Sequence, residues 1–160
     1  MKQKLNCILL IDDDEPTNFI SSMLLEEADC AHHIQIEESA QRALEYLSKT
    51  RPCSNENGSS SYPELVFLDI NMPAMNGWEF LETCNDLKMN LLPGTVIIML
   101  TTSINPDDSM RAGNIPLVAG FESKPLTSSM IQRVLKKYFK LEQETETCTL
   151  PALLSSPVKI

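Results

Sequence analysis

Three short runs of apolar residues stand out along the chain, because no polar residue interrupts them. Strands that are apolar on both sides are typical of a parallel sheet that helices cover on both faces. Two weaker apolar stretches add a second and a fifth candidate strand. In chain order, the five predicted strands are Cys7–Ile11, His33–Ile36, Leu65–Leu68, Val96–Leu100 and Val118–Phe121.

Apolar residues recur at helical spacing in the segments that follow each strand. Residue types that favour a helix start precede four of these segments, namely Pro16, Ser39, Asn105 and Thr127. The fourth helix is short, because Gly113 interrupts it early. Strand and helix alternate five times, which predicts an α/β fold with a doubly wound (βα)5 five-stranded parallel sheet. The first, second, third and fifth predicted helices each have an apolar face. In that order, these faces are Ile20, Met23, Leu24 and Ala28; Ala40, Ala43, Leu44 and Leu47; Phe80, Leu81, Cys84 and Leu87; and Ile131, Val134, Leu135 and Tyr138.

Two segments do not fit this alternation. Residues 50–63 are polar and rich in Ser, Asn, Gly and Pro, which predicts a long exposed loop. Residues 141–160 have no helical or strand period and contain two prolines, so they are expected to form a disordered or loosely packed tail. The predicted organisation is therefore one domain over residues 4–140, followed by this tail.

Charge and cysteine content narrow the possible functions. With 13 basic and 22 acidic residues the net charge is −9, which disfavours binding to nucleic acid or to an anionic membrane through charge alone. The apolar run that ends at Ile11 is too short for a signal-peptide core or a membrane span, so no membrane insertion is expected. The five cysteines are scattered without a C-x-x-C pair, which favours reduced thiols and a cytoplasmic location.

Polar residues follow the strong strands at the edge where ligands of open α/β sheets bind. Asp12–Glu15 follow the first strand, Asp69 the third and Thr101-Thr102 the fourth, while Lys124 comes just after the fifth. Carboxylates held close together repel unless one is protonated or a hard cation such as Mg²⁺ lies between them. A magnesium ion, a lysine and a hydroxyl are suited to a phosphoryl group, for which a central carboxylate can act as nucleophile.

Each of these residues also has an ordinary explanation. The acids at Asp12–Glu15 would be favourable as solvated charges at a helix N-terminus, and Asp69 could be a turn residue. Thr101 could be a strand residue, and Lys124 a surface lysine. Their shared position at one edge of one sheet argues against coincidence.

Taken together, these residues resemble the receiver domain of bacterial response regulators over roughly residues 4–140. Asp12-Asp13 resembles the acidic pair of that family, and Leu68–Phe80 (LDINMPAMNGWEF) resembles its phosphoacceptor loop. Leu100-Thr101 and Ser123-Lys124-Pro125 match its switch threonine and its lysine–proline step, and Phe121 occupies its switch aromatic position. The resemblance implies a flavodoxin-like, CheY-like fold and a signalling protein rather than an enzyme.

The resemblance also implies roles for individual residues. Asp13 and Asp69 would ligate Mg²⁺ directly, together with the backbone carbonyl of Asn71, while Asp12 would act mainly through a metal-bound water. Asp69 would accept a phosphoryl group from a histidine kinase or a histidine phosphotransfer protein. Lys124 would contact Asp69 at rest and the phosphoryl oxygen afterwards.

Thr101 and Phe121 would report phosphorylation by reshaping the surface formed by the fourth helix, the fifth strand and the fifth helix. No DNA-binding domain fits after residue 140, so a stand-alone regulator would signal through another, unknown protein, and a homodimer is possible. One departure is Thr102, where the family usually has a very small residue.

Two alternatives remain open at this stage. A haloacid dehalogenase-type phosphohydrolase also carries an aspartate nucleophile, a threonine and a lysine on a Rossmann-like sheet. Its motif requires Thr or Val four residues after the first aspartate, where this chain has Pro16, with Thr17 one place late. A scaffold with the receiver fold that does not depend on phosphorylation is the other alternative.

Overall fold

The computed structural model describes residues 3–50, 62–86, 95–102 and 105–141. Most of the predicted loop (51–61), nearly all of the predicted tail (142–160) and Leu87 lie outside the described residues. The strands are β1 (Leu5–Ile11), β2 (Ala31–Glu37), β3 (Leu65–Asp69), β4 (Val96–Thr101) and β5 (Val118–Ser123). The helices are α1 (Glu15–Glu27), α2 (Ala40–Lys49), α3 (Gly77–Asp86), α4 (Pro106–Gly113) and α5 (Ser128–Val134), which continues as a π-helical turn over Leu135–Phe139.

All strand pairs are parallel, in the order β2-β1-β3-β4-β5, so the predicted doubly wound sheet is confirmed. The three strongest apolar runs became the three central strands, which are almost entirely buried. The two weaker runs became the edge strands β2 and β5, whose residues are mostly half-exposed. The chain moves to one side of β1 to form β2 and to the other side to form β3. A crevice therefore opens at the carboxyl ends of β1 and β3.

Each face of the sheet supports its own apolar cluster. Helices α2, α3 and α4 pack on one face, around residues such as Leu68 and Met99. Helices α1 and α5 pack on the other, around Phe67 and Ile98. Cys7, Cys30 and Cys84 are buried free thiols.

The predicted helix starts are confirmed. Ser39 accepts a hydrogen bond from the amide of Arg42 (3.1 Å), and Thr127 accepts one from the amide of Met130 (3.2 Å). Asn105 caps α4 in the same manner, with Pro106 as the first helical residue. These side chains satisfy backbone donors that have no partner within the helix.

The predicted apolar face of α1 is wrong in part. Ile20 and Met23 are exposed (55% and 53%), whereas Leu24 and Ala28 are half-buried against the α1–α5 cluster. The residues that α1 buries are Asn18, Ser21 and Leu25. The helix is therefore turned so that its first two turns place polar side chains against the sheet.

Arg111 connects helix α4 to helix α3. Ala112 is the single buried residue of α4 within the described chain. The Arg111 guanidinium lies 4.6 Å from the centre of the Trp78 ring and 3.2 Å from the Glu82 carboxylate, both on α3. This cation–π contact and ion pair join α4 to the helix that follows Asp69.

The edge strand β5 contains a bulge. Ile97 pairs with Val118 and Ile98 with Gly120, so Ala119 is an extra residue without a partner on β4. The Tyr138 hydroxyl donates to the Ala119 carbonyl (2.7 Å). A Cβ at Gly120 would lie 3.1 Å from this hydroxyl and 2.9 Å from Ile98, so glycine lets the tyrosine lie close over the strand.

Candidate functional site

Three carboxylates meet at the carboxyl ends of β1 and β3. Asp12 and Asp13 directly follow β1, and Asp69 is the last residue of β3. Each offers an oxygen, and these oxygens all lie within 4.8 Å of one another. Asp12 and Asp69 are buried, whereas Asp13 is exposed to solvent. The sheet topology therefore brings together the acids that the sequence places about 56 residues apart, as expected for adjacent parallel strands.

Lys124 reaches into this cluster from the end of β5. Its ammonium forms an ion pair with Asp12 and lies 3.1 Å from Oδ1 of Asp69. Its backbone N–H donates to the carbonyl of Thr101 (2.7 Å), which ties the end of β5 to the end of β4. The next peptide bond, Lys124–Pro125, is cis. The predicted contact between Lys124 and Asp69 is present, and Asp12 is a second partner.

The electrostatics of the cluster favour a cation. Burial, followed by the negative charge of Asp12, raises the pKa of Asp69 to about 6, although Lys124 and the Asn71 amide oppose this shift. Burial works against the charged form of Lys124, but its hydrogen bond to Asp12 and the charges of both aspartates outweigh burial and raise its pKa. One ammonium cannot balance three ionised carboxylates. An oxygen-preferring divalent cation such as Mg²⁺ therefore fits the residues present.

The loop between β1 and α1 is fixed by hydrogen bonds around Asp12. The backbone N–H of Asp12 donates to the carbonyl of Glu37 (3.2 Å), and the backbone carbonyl of Asp12 accepts from Nδ2 of Asn18 (2.8 Å). The side chain of Asp12 accepts from the amide of Asp14 (3.0 Å). Asp14 in turn caps α1 by accepting from the amide of Thr17 (3.0 Å), and the hydroxyl of Thr17 lowers the pKa of Asp14.

The loop between β3 and α3 is packed closely under Asp69. The amide of Asn71 lies 3.3 Å from Oδ1 of Asp69 and donates to it, and the amide of Ile70 donates to the carbonyl of Leu100 (3.1 Å). A Cβ at Gly77 would lie 2.6 Å from the Asp69 carbonyl oxygen and 3.0 Å from Cα of Ile70. Glycine at this position therefore lets the start of α3 approach the backbone of Asp69.

An open pocket of about 390 Å³ lies above the carboxylates. Five of the predicted site residues line it: Asp12, Asp13, Asp69, Asn71 and Lys124. The pocket lining from the end of β4 is Thr102, whereas Thr101 is fully buried behind it. Phe121 also lies away from the pocket, half-buried against the cluster that contains Met99.

Three residues around the pocket had no site role assigned from the sequence: Asp14, which was placed at this edge only as part of Asp12–Glu15, Thr17 and Asn18. Asp14 and Thr17 contribute to its lining, and Asn18 holds the backbone of Asp12 from below. The spacing of Asp14 and Thr17 is that of a helix cap and its N3 residue, which could have indicated that both lie at the mouth of the pocket. No sequence pattern marks Asn18, since its partner is a backbone carbonyl.

Comparison with known proteins agrees with this geometry. The family model of the response regulator receiver domain matches residues 8–137. The chain is 29% identical over 151 residues to Response regulator Rcp1 of Synechocystis sp., covering 91% of this chain and 92% of that protein. It is 32% identical over 134 residues to Two-component response regulator ORR1 of Oryza sativa subsp. indica, covering 81% of this chain and 53% of that protein, so it spans about half of the rice relative.

A solved structure shares the architecture. The two component response regulator from Cytophaga hutchinsonii superposes with a TM-score of 0.76 at 26% identity, covering 86% of this chain and 99% of that one. Within the residues that the structure describes, no helix has the length and apolar character needed to cross a membrane. The matched segment includes every carboxylate of the cluster together with Lys124, and the chain belongs to the response regulator receiver domain family.

Proposed function

We propose that this chain accepts a phosphoryl group on Asp69 from a phosphohistidine of a histidine kinase or a histidine phosphotransfer protein. One observation carries the proposal: the Asp69 carboxylate is buried at the base of an open pocket, 3.1 Å from the Lys124 ammonium and beside two further carboxylates. The functional unit is residues 4–140, acting in the cytoplasm.

The reaction needs few protein groups. An Asp69 carboxylate oxygen attacks phosphorus, the N–P bond of the donor breaks, and the imidazole leaves with the electron pair and takes up a proton. Lys124 neutralises charge on the phosphoryl oxygens. Asp13, Asp69 and the Asn71 carbonyl would hold Mg²⁺ directly and Asp12 would act mainly through a water, and the bound ion would supply further charge neutralisation. With a pKa of about 6, Asp69 is mostly ionised at neutral pH, as a nucleophile must be.

The donor docks on exposed apolar residues of α1. Phe19, Ile20 and Met23 are 63%, 55% and 53% exposed, and they lie in the two turns of α1 that follow Thr17, which lines the pocket. A protein that carries phosphohistidine must cover the rim of the pocket to bring its ring to Asp69. An apolar face next to that rim gives such a partner a surface to bury.

Thr101 and Phe121 transmit the phosphorylation of Asp69 to the surface of the protein. Phosphorylation adds negative charge and acceptor oxygens at Asp69, which draw the Thr101 hydroxyl toward the site. The space beside β4 then accommodates the half-buried Phe121 ring, and the surface of α4, β5 and α5 changes for a downstream protein or a second copy of the chain.

Phosphorylation assays test the acceptor. Incubation with a labelled histidine kinase or with acetyl phosphate and Mg²⁺ should label the wild type and Asp86→Asn, a matched change of an exposed aspartate on α3, but not Asp69→Asn. Label that persists in Asp69→Asn would contradict the proposal. Steady Mg²⁺-dependent turnover of a chromogenic phosphate ester would instead support a phosphohydrolase.

A comparison of donors tests the docking surface. The double change Ile20→Ser with Met23→Ser should slow labelling by the histidine donor about tenfold and leave labelling by acetyl phosphate unchanged, because only the protein donor needs the apolar contact. Equal slowing with both donors would locate the defect in the pocket instead.

A further inference from the structure

Helix α1 buries an amide where apolar residues were available. Asn18 is 4% exposed, although the next two residues, Phe19 and Ile20, are apolar and face solvent. Burying an uncharged amide costs free energy unless it is hydrogen-bonded, and it contributes less than a buried aliphatic side chain. The orientation of α1 is therefore not explained by burial of apolar area alone.

The side chain of Asn18 makes one hydrogen bond within the described residues. Its Nδ2 donates to the backbone carbonyl of Asp12 at 2.8 Å, six residues earlier in the chain. This carbonyl belongs to the peptide group that joins Asp12 to Asp13. Since that group is planar, a bond that fixes its carbonyl also fixes the nitrogen and Cα of Asp13.

The two aspartates are held by different means. The carboxylate of Asp12 is buried and bonded to Lys124 and to the amide of Asp14. The carboxylate of Asp13 is exposed, yet it lies within 4.8 Å of the other ligand oxygens. Its position in the cluster thus depends on the orientation of its backbone more than the position of Asp12 does.

We infer that Asn18 is a positioning residue for the metal site: by holding the Asp12–Asp13 peptide, it keeps the Asp13 carboxylate directed at the cation. This inference rests on the proposed function of the site. Groups that orient metal ligands without touching the metal commonly change its affinity by about 10-fold to 100-fold when they are replaced. A residue with a structural role only would change stability and leave the affinity of the folded protein unaltered.

Ser21 provides a matched control. It lies on the same inner face of α1, one turn further from the pocket, and is nearly as buried as Asn18 (6% exposed). The variants are Asn18→Leu, which replaces the amide by an apolar side chain of the same branched shape, Asn18→Ser, which is milder and too short to reach, and Ser21→Ala. Each is titrated calorimetrically with Mg²⁺ alone, and its unfolding is measured in EDTA.

Both Asn18 variants should bind Mg²⁺ about tenfold more weakly than the wild type, whereas Ser21→Ala should stay within about twofold. Labelling by acetyl phosphate at saturating Mg²⁺ should approach the wild-type rate, because the defect lies in positioning a metal ligand. If Asn18→Leu does not fold, Asn18→Ser gives the same comparison. Wild-type affinity in the folded Asn18 variants, or equal weakening in Ser21→Ala, would overturn the inference and leave the proposed function intact. Failure of the wild type itself to bind Mg²⁺ would overturn both.

Discussion

Helices α1 and α2 cover opposite faces of one sheet, and both begin at the edge that carries the carboxylates. Helix α2 buries Ala40, Ala43 and Leu47, an apolar row at helical spacing, and its cap is the uncharged Ser39. Helix α1 buries Asn18, Ser21 and Leu25, exposes Phe19, Ile20 and Met23, and begins at a run of aspartates. The helix remote from the pocket follows hydrophobic periodicity, whereas the helix beside it buries an amide that hydrogen-bonds to the backbone of the site.

The largest expected effect tests which face of α1 is buried. Leu25→Ala should lower the free energy of unfolding by about 2 to 5 kcal/mol, as should Leu47→Ala on α2, because both leucines are nearly fully buried. Met23→Ala should change it by less than about 0.5 kcal/mol, since that side chain is half-exposed. Urea unfolding measures all three. A loss at Met23 equal to that at Leu25 would restore the apolar face expected from the sequence.

The next effect concerns how the free energy of unfolding depends on pH through Asp69, which lies beside the start of α1. The pKa of Asp69 is raised in the folded state to about 6, so the folded protein binds this proton more tightly than the unfolded chain does. Stability should therefore fall as pH rises from about 4 to about 6, by up to about 3 kcal/mol. Asp69→Asn removes the penalty. In EDTA, the Asp69→Asn variant should be more stable than the wild type at pH 7.5 and equally stable at low pH. An equal gain in stability at both pH values would refute the electrostatic cause.

Magnesium should act on the same end of the molecule. An ion that binds only the folded state adds about 2.7 kcal/mol of stability at ~100 times its Kd. Asp13→Asn should raise metal-free stability by relieving repulsion and should abolish this increment, which thermal melts with and without Mg²⁺ can measure. Hydrogen exchange compares the two helices directly. On addition of Mg²⁺, backbone amides in the first turn of α1 should gain more protection than those of α2, because α1 begins beside the metal site. An equal Mg²⁺ increment in the wild type and Asp13→Asn would remove Asp13 from the metal site.

The smallest effect tests the start of α2. Ser39→Ala removes the hydrogen bond to the amide of Arg42 and should cost about 1 kcal/mol. Because this cap is uncharged, the cost should be the same with and without Mg²⁺ and across neutral pH. Chemical unfolding under these conditions checks it, and a dependence on Mg²⁺ would mean that the two helix starts are coupled.

These contrasts indicate what the sequence could predict. Strands such as Leu65–Asp69 were predictable because burial on both faces leaves an uninterrupted apolar run, and caps such as Ser39 because their bonds are local. The carboxylate cluster followed from the topology, which places strand ends together. The face of α1 was not predictable, since the bond from Asn18 to a backbone carbonyl leaves no period. The bulge at Ala119 depends in the same way on a tertiary partner, Tyr138.

Trp78 gives the molecule a built-in optical probe. It is the single tryptophan of the chain, nearly fully buried, with the Arg111 guanidinium over its ring. Its emission is therefore that of one defined environment, and a displacement of α4 that removes the cation from the ring alters its intensity. Stopped-flow fluorescence on the unlabelled protein can therefore time the displacement of α4 after phosphorylation of Asp69. The Arg111→Met variant gives the reference spectrum of Trp78 without the cation over its ring.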